Sequence, residues 1–174
     1  MTQQADSLTT IAARLDAPFG YAGVGMSVAQ ADAAFVESAW YGKILTIPVD
    51  DAVREWRAWQ GEDDQITALE AEEKRLGVVQ VVRSALTVAR HQGGAVIVPV
   101  GLPGGNATPL RLDAIRQGQV QRFVVLGREE ITPGQIDRNP LSPGYGLPEY
   151  WTIGQDQIRL HSSRVILVNG RTAP

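Results

Sequence analysis

A chain of 174 residues with 44% hydrophobic and 20% charged residues has enough apolar material for one folded domain and is too apolar for disorder. Its formal net charge of −3, with no concentrated lysine and arginine face, argues against a protein that coats the nucleic-acid phosphate backbone. Cysteine is absent, which excludes disulfides, thiolate metal ligands and cysteine nucleophiles. No positive n-region precedes an apolar stretch at the N-terminus, and the run Ala95–Val100 falls far short of the roughly 18 residues a membrane span needs, so a soluble protein is expected.

Residues 1–27 are small, polar and glycine-rich, which predicts a flexible N-terminal arm ahead of a single domain over 28–174. The run from Phe19 to Gly25 superficially resembles a phosphate-binding glycine loop, but no strand precedes it. Ser27-Val28-Ala29-Gln30 has the form of a capping box. Val28, Phe35, Val36, Ala39, Trp40 and Ile44 then fall on one helical face, predicting one amphipathic helix that ends before Pro48. Asp50 and Asp51 read as acids at the start of the next helix, where the dipole favours them, rather than as metal ligands, because adjacent helical residues do not face one another.

Residues 62–76 form a charged helix pattern with Asp63 or Asp64 as cap and Gly77 as stop. Val78 to His91 carries its polar residues on a single stripe, so that helix is expected to be buried round most of its circumference and to form the spine of the core. His91 at its end suits the C-terminal dipole. After Gly93-Gly94, Ala95–Val100 reads as a strand buried on both faces, followed by a turn over Gly101–Asn106. Further strands are predicted around Phe123–Leu126, over Glu149–Ile153, Ile158–Leu160 and Val165–Val168, with an irregular proline- and glycine-dense loop from Asp137 to Pro148. Helices followed by short strands give an α+β fold, N-terminal helices packed on a small mixed or antiparallel sheet.

Between the last two strands lies a polar knot, His161-Ser162-Ser163-Arg164. Nucleophilic catalysis needs a serine with a positioned histidine and an acid, yet neighbours on an extended chain point apart and the chain has only two histidines. The Gly-x-Ser-x-Gly and His-Glu-x-x-His patterns are missing. A two-histidine phosphodiesterase would want two His-x-Thr/Ser motifs; His161-Ser162-Ser163 provides one, while His91-Gln92-Gly93 does not. The alternative is a structural clasp, with the Arg164 fork tying backbone carbonyls together and His161, Ser163 and Val165 sharing a hydrogen-bonded seam.

The run Ser142-Pro143-Gly144-Tyr145-Gly146-Leu147-Pro148-Glu149-Tyr150-Trp151, with Ile158-Arg159-Leu160-His161-Ser162-Ser163-Arg164-Val165-Ile166 and Gly170 after it, resembles the portal proteins of tailed bacteriophages and prophages. Ala39-Trp40-Tyr41 and Ile47-Pro48-Val49-Asp50-Asp51 agree with that resemblance, which covers the chain from about Val28 onward. It implies a portal wing-like body, truncated before the channel-lining stem, and a structural head-to-tail connector subunit for DNA packaging and ejection, with no enzymatic activity. It further implies a ring of copies at a capsid vertex of the virion, assembled in the host bacterial cytoplasm. The expected partners are capsid, terminase and tail adaptor proteins, with DNA passing through without sequence-specific binding, and no membrane. Tyr145, Gly146, Pro148, Tyr150, His161, Ser163 and Arg164 become structural or assembly positions, and no catalytic residue, cofactor or metal is expected. A portal-like region also stands at the front of some longer phage proteins with anti-CBASS activity, but their phosphodiesterase motifs are not found in this sequence; the alternative reading is a small phage-encoded phosphodiesterase or anti-defence protein using His161.

Overall fold

The structure, a computed structural model, describes residues 27–142 and 144–169. The predicted arm over 1–27 therefore lies outside the described residues, apart from Ser27. Four helices come first: α1 Val28–Glu37, α2 Ala39–Arg54, α3 Asp63–Leu76 and α4 Val78–Gln92. Six strands follow: β1 Gly94–Val100, β2 Arg122–Gly127, β3 Ile131–Pro133, β4 Tyr150–Ile153, β5 Ile158–His161 and β6 Ile166–Asn169. They make two three-stranded antiparallel sheets, ordered β2-β1-β6 and β3-β4-β5, and the fold is α+β. No described helix is long and apolar enough to cross a membrane.

Strand β1 is buried over its first four residues because it sits between two neighbours, pairing Val96 with Leu126 on one side and Leu167 on the other. Its alternation sends Val96 and Val98 toward the second sheet, where they meet Ile131, Trp151 and Ile153, with Val165 and Leu167 completing the cluster. Trp151 is 0% exposed and is the side chain on which the two sheets close. The opposite parity, Ala95 and Ile97, is also buried, and helix α4 packs on β1 and β2. Ala85 and Ala89 supply the small face of that helix, letting its backbone approach the sheet. Gly77 (φ 61°) ends α3 and opens α4, a left-handed hinge that a side chain would strain.

Four expectations for the first helices are corrected. The single amphipathic helix is two, broken at Ser38, whose backbone is extended (φ −118°, ψ 106°) and whose hydroxyl caps α2 by accepting from the Tyr41 N–H. Pro48 does not end the helix but lies inside α2. Proline has no N–H for the Ile44 carbonyl four residues back, and Arg90 of α4 reaches across to donate to that carbonyl at 3.3 Å. Asp50 and Asp51 consequently sit in the later part of α2 rather than at a helix start; Asp51 pairs with Arg54, and Asp50 with Arg83 of α4 at 2.6 Å. The expected apolar face is also turned outward: Val36, Trp40 and Ile44 are exposed, and the buried positions are Ala31, Leu45 and Val49.

Candidate functional site

Strands β4 and β5 form the hairpin on which the site is built, in a register that places Tyr150 opposite His161 and Trp151 opposite Leu160. Just past β5 the chain leaves extended geometry for a 310 turn over Ser162–Arg164, with His161 as its N-cap. That turn, rather than the alternation of a strand, brings His161 and Ser163 together. Nδ1 of His161 lies 3.1 Å from the Ser163 N–H and 2.9 Å from its Oγ. The Ser163 Oγ in turn accepts the Leu110 N–H at 2.8 Å, and the Ser162 hydroxyl donates to the Pro148 carbonyl.

Arg164, 4% exposed, is a buried charged side chain. Its Nε donates to the Thr108 carbonyl at 2.7 Å and Nη2 to the Pro103 carbonyl at 2.9 Å, so one guanidinium holds both limbs of the loop between β1 and β2. His161 adds a third tie to that loop, its backbone N–H donating to the Asn106 carbonyl at 2.9 Å. A planar fork of donors suits two carbonyls at a fixed separation, which a lysine ammonium would not bridge in the same way.

On the other side of the hairpin, residues 134–149 fold back on themselves. Gly134 donates to the Tyr150 carbonyl, Ile136 bridges Pro148, the Asp137 N–H donates to Leu147 and the Gly146 N–H returns to Asp137. Gly134 has to be glycine: a Cβ there would lie 2.6 Å from the Tyr150 ring. Gly146 takes φ +78° at the tip, Pro148 is buried, and Tyr145 is exposed. Tyr150 carries the Arg159 guanidinium 4.8 Å over its ring.

An open cleft of about 910 Å³ lies between this fold-back and the 310 turn. Its polar lining includes Gln135, Asp137, Arg138, Glu149 and His161. The Asp137 carboxylate is engaged within the loop, where the Ser142 hydroxyl and then the Asn139 N–H hold its pKa below the ordinary aspartate value. The Arg138 guanidinium, the Glu149 carboxylate and Nε2 of His161 have no hydrogen-bond partner among the described residues. No group of three or more His, Cys, Asp or Glu side chains there is placed to hold a metal ion.

Of the positions singled out in the sequence, the structure brings His161, Ser163 and Arg164 into one turn and sets Pro148 and Tyr150 directly beside it, while Tyr145 and Gly146 lie at the tip of the loop. Gln135, Arg138 and Glu149 were missed, because a fold-back pairing of residues over 134–149 leaves no periodic trace. His91 was read as a helix end alone. It also joins three helices, through Nε2 to Asp32 of α1 at 2.6 Å and Nδ1 to the Tyr41 hydroxyl of α2 at 3.4 Å.

The family model described as phage portal protein matches residues 29–174. The chain belongs to that family. Among curated relatives, a protein of Sphingomonas paeninsulae named anti-CBASS protein Acb1 is 34% identical over 146 residues, covering 81% of this chain and 23% of that protein. Another of the same name, from Caulobacter sp. (strain RHG1), is 34% identical over 131 residues, covering 71% of this chain and 21% of its own. An uncharacterized protein of Haemophilus influenzae is 25% identical over 150 residues, covering 80% of this chain and 34% of its own. The chain thus spans about a fifth to a third of the length of these relatives.

These relatives correct the main functional expectation. A structural head-to-tail connector subunit without enzymatic activity is not what the relatives at 34% identity are named for; their name is that of an anti-defence protein, and the alternative reading fits them better. With the connector go the DNA-packaging, capsid-vertex and structural-protein descriptions attached to it, while the assignment to a phage protein stands. The physical reason is that the two motifs behind the resemblance encode a loop and a clasp. A loop and a clasp are architecture, and fold does not fix function.

Proposed function

We propose that this chain is the portal-family region of a phage-encoded anti-defence protein of the anti-CBASS type, and that it works as a phosphodiesterase with His161 in its cleft. The observation that carries the reading is the 34% identity over 146 residues, 81% of this chain, to a protein of that name. The cleft supports it chemically. Its lining holds an imidazole, a guanidinium and a carboxylate, His161, Arg138 and Glu149, and cleavage of a phosphodiester calls on a hydrogen-bond donor, a cation for developing charge and an acceptor for the nucleophile's proton. Because the chain covers under a quarter of those two relatives, the activity of the whole protein comes to it only as this proposal.

The test is expression of the protein in bacteria that carry CBASS, followed by phage challenge. Plating efficiency is expected to rise with the protein present and to fall back with His161→Ala, provided the variant keeps the parent melting curve. Equal plating with and without the protein overturns the anti-defence reading. Protection that survives His161→Ala removes the cleft from it.

A further inference from the structure

His161 is placed in its cleft in one specific chemical form. A backbone N–H is an obligatory donor, so the Ser163 N–H at 3.1 Å from Nδ1 makes that nitrogen an acceptor. The Ser163 hydroxyl fits that assignment. With Nδ1 an acceptor, the 2.9 Å contact to the Ser163 Oγ has the hydroxyl as donor, while that oxygen accepts the Leu110 N–H at 2.8 Å. A directed chain therefore runs from Leu110 N–H to Ser163 O–H to His161 Nδ1, and the single hydrogen of the neutral ring sits on Nε2.

The ring lines the cleft, and Nε2 has no partner among the described residues. The opposite tautomer, needed for Nε2 to act as a base, would turn an Nδ1 hydrogen against the Ser163 N–H at 3.1 Å, two donors head to head. Arg138 lines the same cleft with no ion pair among the described residues, and the Asp137 carboxylate is turned onto Ser142 and Asn139. The donor side of the cleft is thus an imidazole N–H and a guanidinium, a set that suits an oxyanion with more than one acceptor oxygen.

We propose that the cleft binds a phosphoryl group, that His161 meets its oxygen as a neutral donor through Nε2 and not as a general base, and that Ser163 is the positioning residue that sets this tautomer. The inference rests on the cleft reading given above and deepens it by assigning the role of the imidazole. It also leaves Glu149 as the carboxylate of the lining without a bond inside the protein.

Nitrogen-15 spectra of the full chain at neutral pH test it, since the two ring nitrogens of a fixed neutral tautomer differ widely in chemical shift. A protonated Nε2 and a bare Nδ1 are expected for His161. Titration with inorganic phosphate, and separately with a 3′,5′-linked dinucleotide, should move the Nε2 signal. A response to phosphate alone identifies a free anion as the source, and a response to the dinucleotide identifies a phosphodiester. Ser163→Ala, which keeps the N–H and loses the hydroxyl, is expected to raise the Nδ1-protonated fraction and to weaken binding of the responding probe about fivefold, the equivalent of one hydrogen bond. Ser163→Thr should restore both. An Nδ1-protonated ring in the parent protein, or no response to either probe, overturns the proposal. The spectra report whether or not the protein protects phage, so failure here is distinct from failure of the anti-defence reading.

Discussion

In the helical half the long-range polar links run from side chain to side chain, apart from Arg90 on the Ile44 carbonyl that Pro48 leaves free. Asp32 meets His91, which meets Tyr41; Asp50 meets Arg83; and the Glu73 carboxylate accepts from Trp56 and Trp59, each at 3.2 Å, and from Arg57 at 2.5 Å. Arg57 itself lies over the Trp59 ring at 4.2 Å and the Trp56 ring at 5.2 Å, so the segment after α2 is folded onto α3 by one carboxylate. Around the β4–β5 turn the side chains act on backbone instead. Arg164 holds Thr108 and Pro103, Ser162 holds Pro148, and Ser163 takes Leu110. The difference follows from what each half lacks. Helices satisfy their own backbone, so their neighbours can be joined only through side chains, whereas loops between short strands leave carbonyls and N–H groups that must find partners.

The largest effect on that comparison should come from Trp151→Ala, because this residue fills the contact between the sheets. A fully buried tryptophan replaced by alanine costs about 3–5 kcal/mol, and global unfolding by chemical denaturation should report it in both halves at once. A loss confined to the β3-β4-β5 sheet would mean that the two sheets do not fold as one unit.

Arg164→Ala comes next. Removing a buried charged donor from two carbonyls should lower stability by about 1.5–3 kcal/mol, measured as the shift in thermal midpoint, and Arg164→Lys should recover only part. An unchanged midpoint for Arg164→Ala would show that the loop over 101–108 holds its shape without the fork.

Tyr41→Phe should cost under about 0.5 kcal/mol, because its hydroxyl bond to His91 is long at 3.4 Å and Asp32 remains on the other ring nitrogen. A larger loss in denaturant would make the three-helix link through His91 cooperative.

How legible these features were in the sequence depends on the range of the forces behind them. The strand at Ala95–Val100, the helix bounded by Gly77 and Gly93, and the capping box at Ser27 are local patterns, and each is where its residues predict, but the helix is not buried round most of its circumference as expected: only Ala85 and Ala89 are fully buried. Pro48 misled because its usual consequence is cancelled by Arg90, 42 residues away in a different helix, a compensation no local rule contains. Trp40 and Ile44 were placed inward by periodicity, which finds an apolar face but not whether anything packs on it. In the site, the knot at His161–Arg164 stood out by composition. Its 310 geometry, the fold-back of residues 134–149 and hence the contribution of Arg138 and Glu149 to the cleft depend on pairings across the chain that leave no trace in spacing.

The smallest expected effect, and the one that separates the two halves most cleanly, is on acidification. The Arg83 hydrogen bond holds the Asp50 carboxyl below its ordinary pKa. For Glu73, desolvation acts to raise the value and is outweighed by the bonds from Arg57, Trp59 and Trp56, leaving it lowered as well. A depressed folded-state value means the unfolded chain binds protons first as pH falls, so the stability these groups contribute is present above their unfolded values, about 3.9 for aspartate and 4.3 for glutamate, and is lost below them. Asp50 is exposed to solvent, so its share is modest and screened by salt. The Arg164 ties involve no carboxylate and have nothing to lose in that range; Asp137, the depressed carboxylate of the sheet half, bonds only within its own loop. Hydrogen exchange corrected for intrinsic rates should therefore show protection in α2 and α3 falling on going from pH 5 to about pH 3.5, in low salt more than in high, while the loop that Arg164 holds keeps its own. Equal losses in both halves would mean that acid acts on the shared core and that the division between side-chain and backbone links has no energetic consequence.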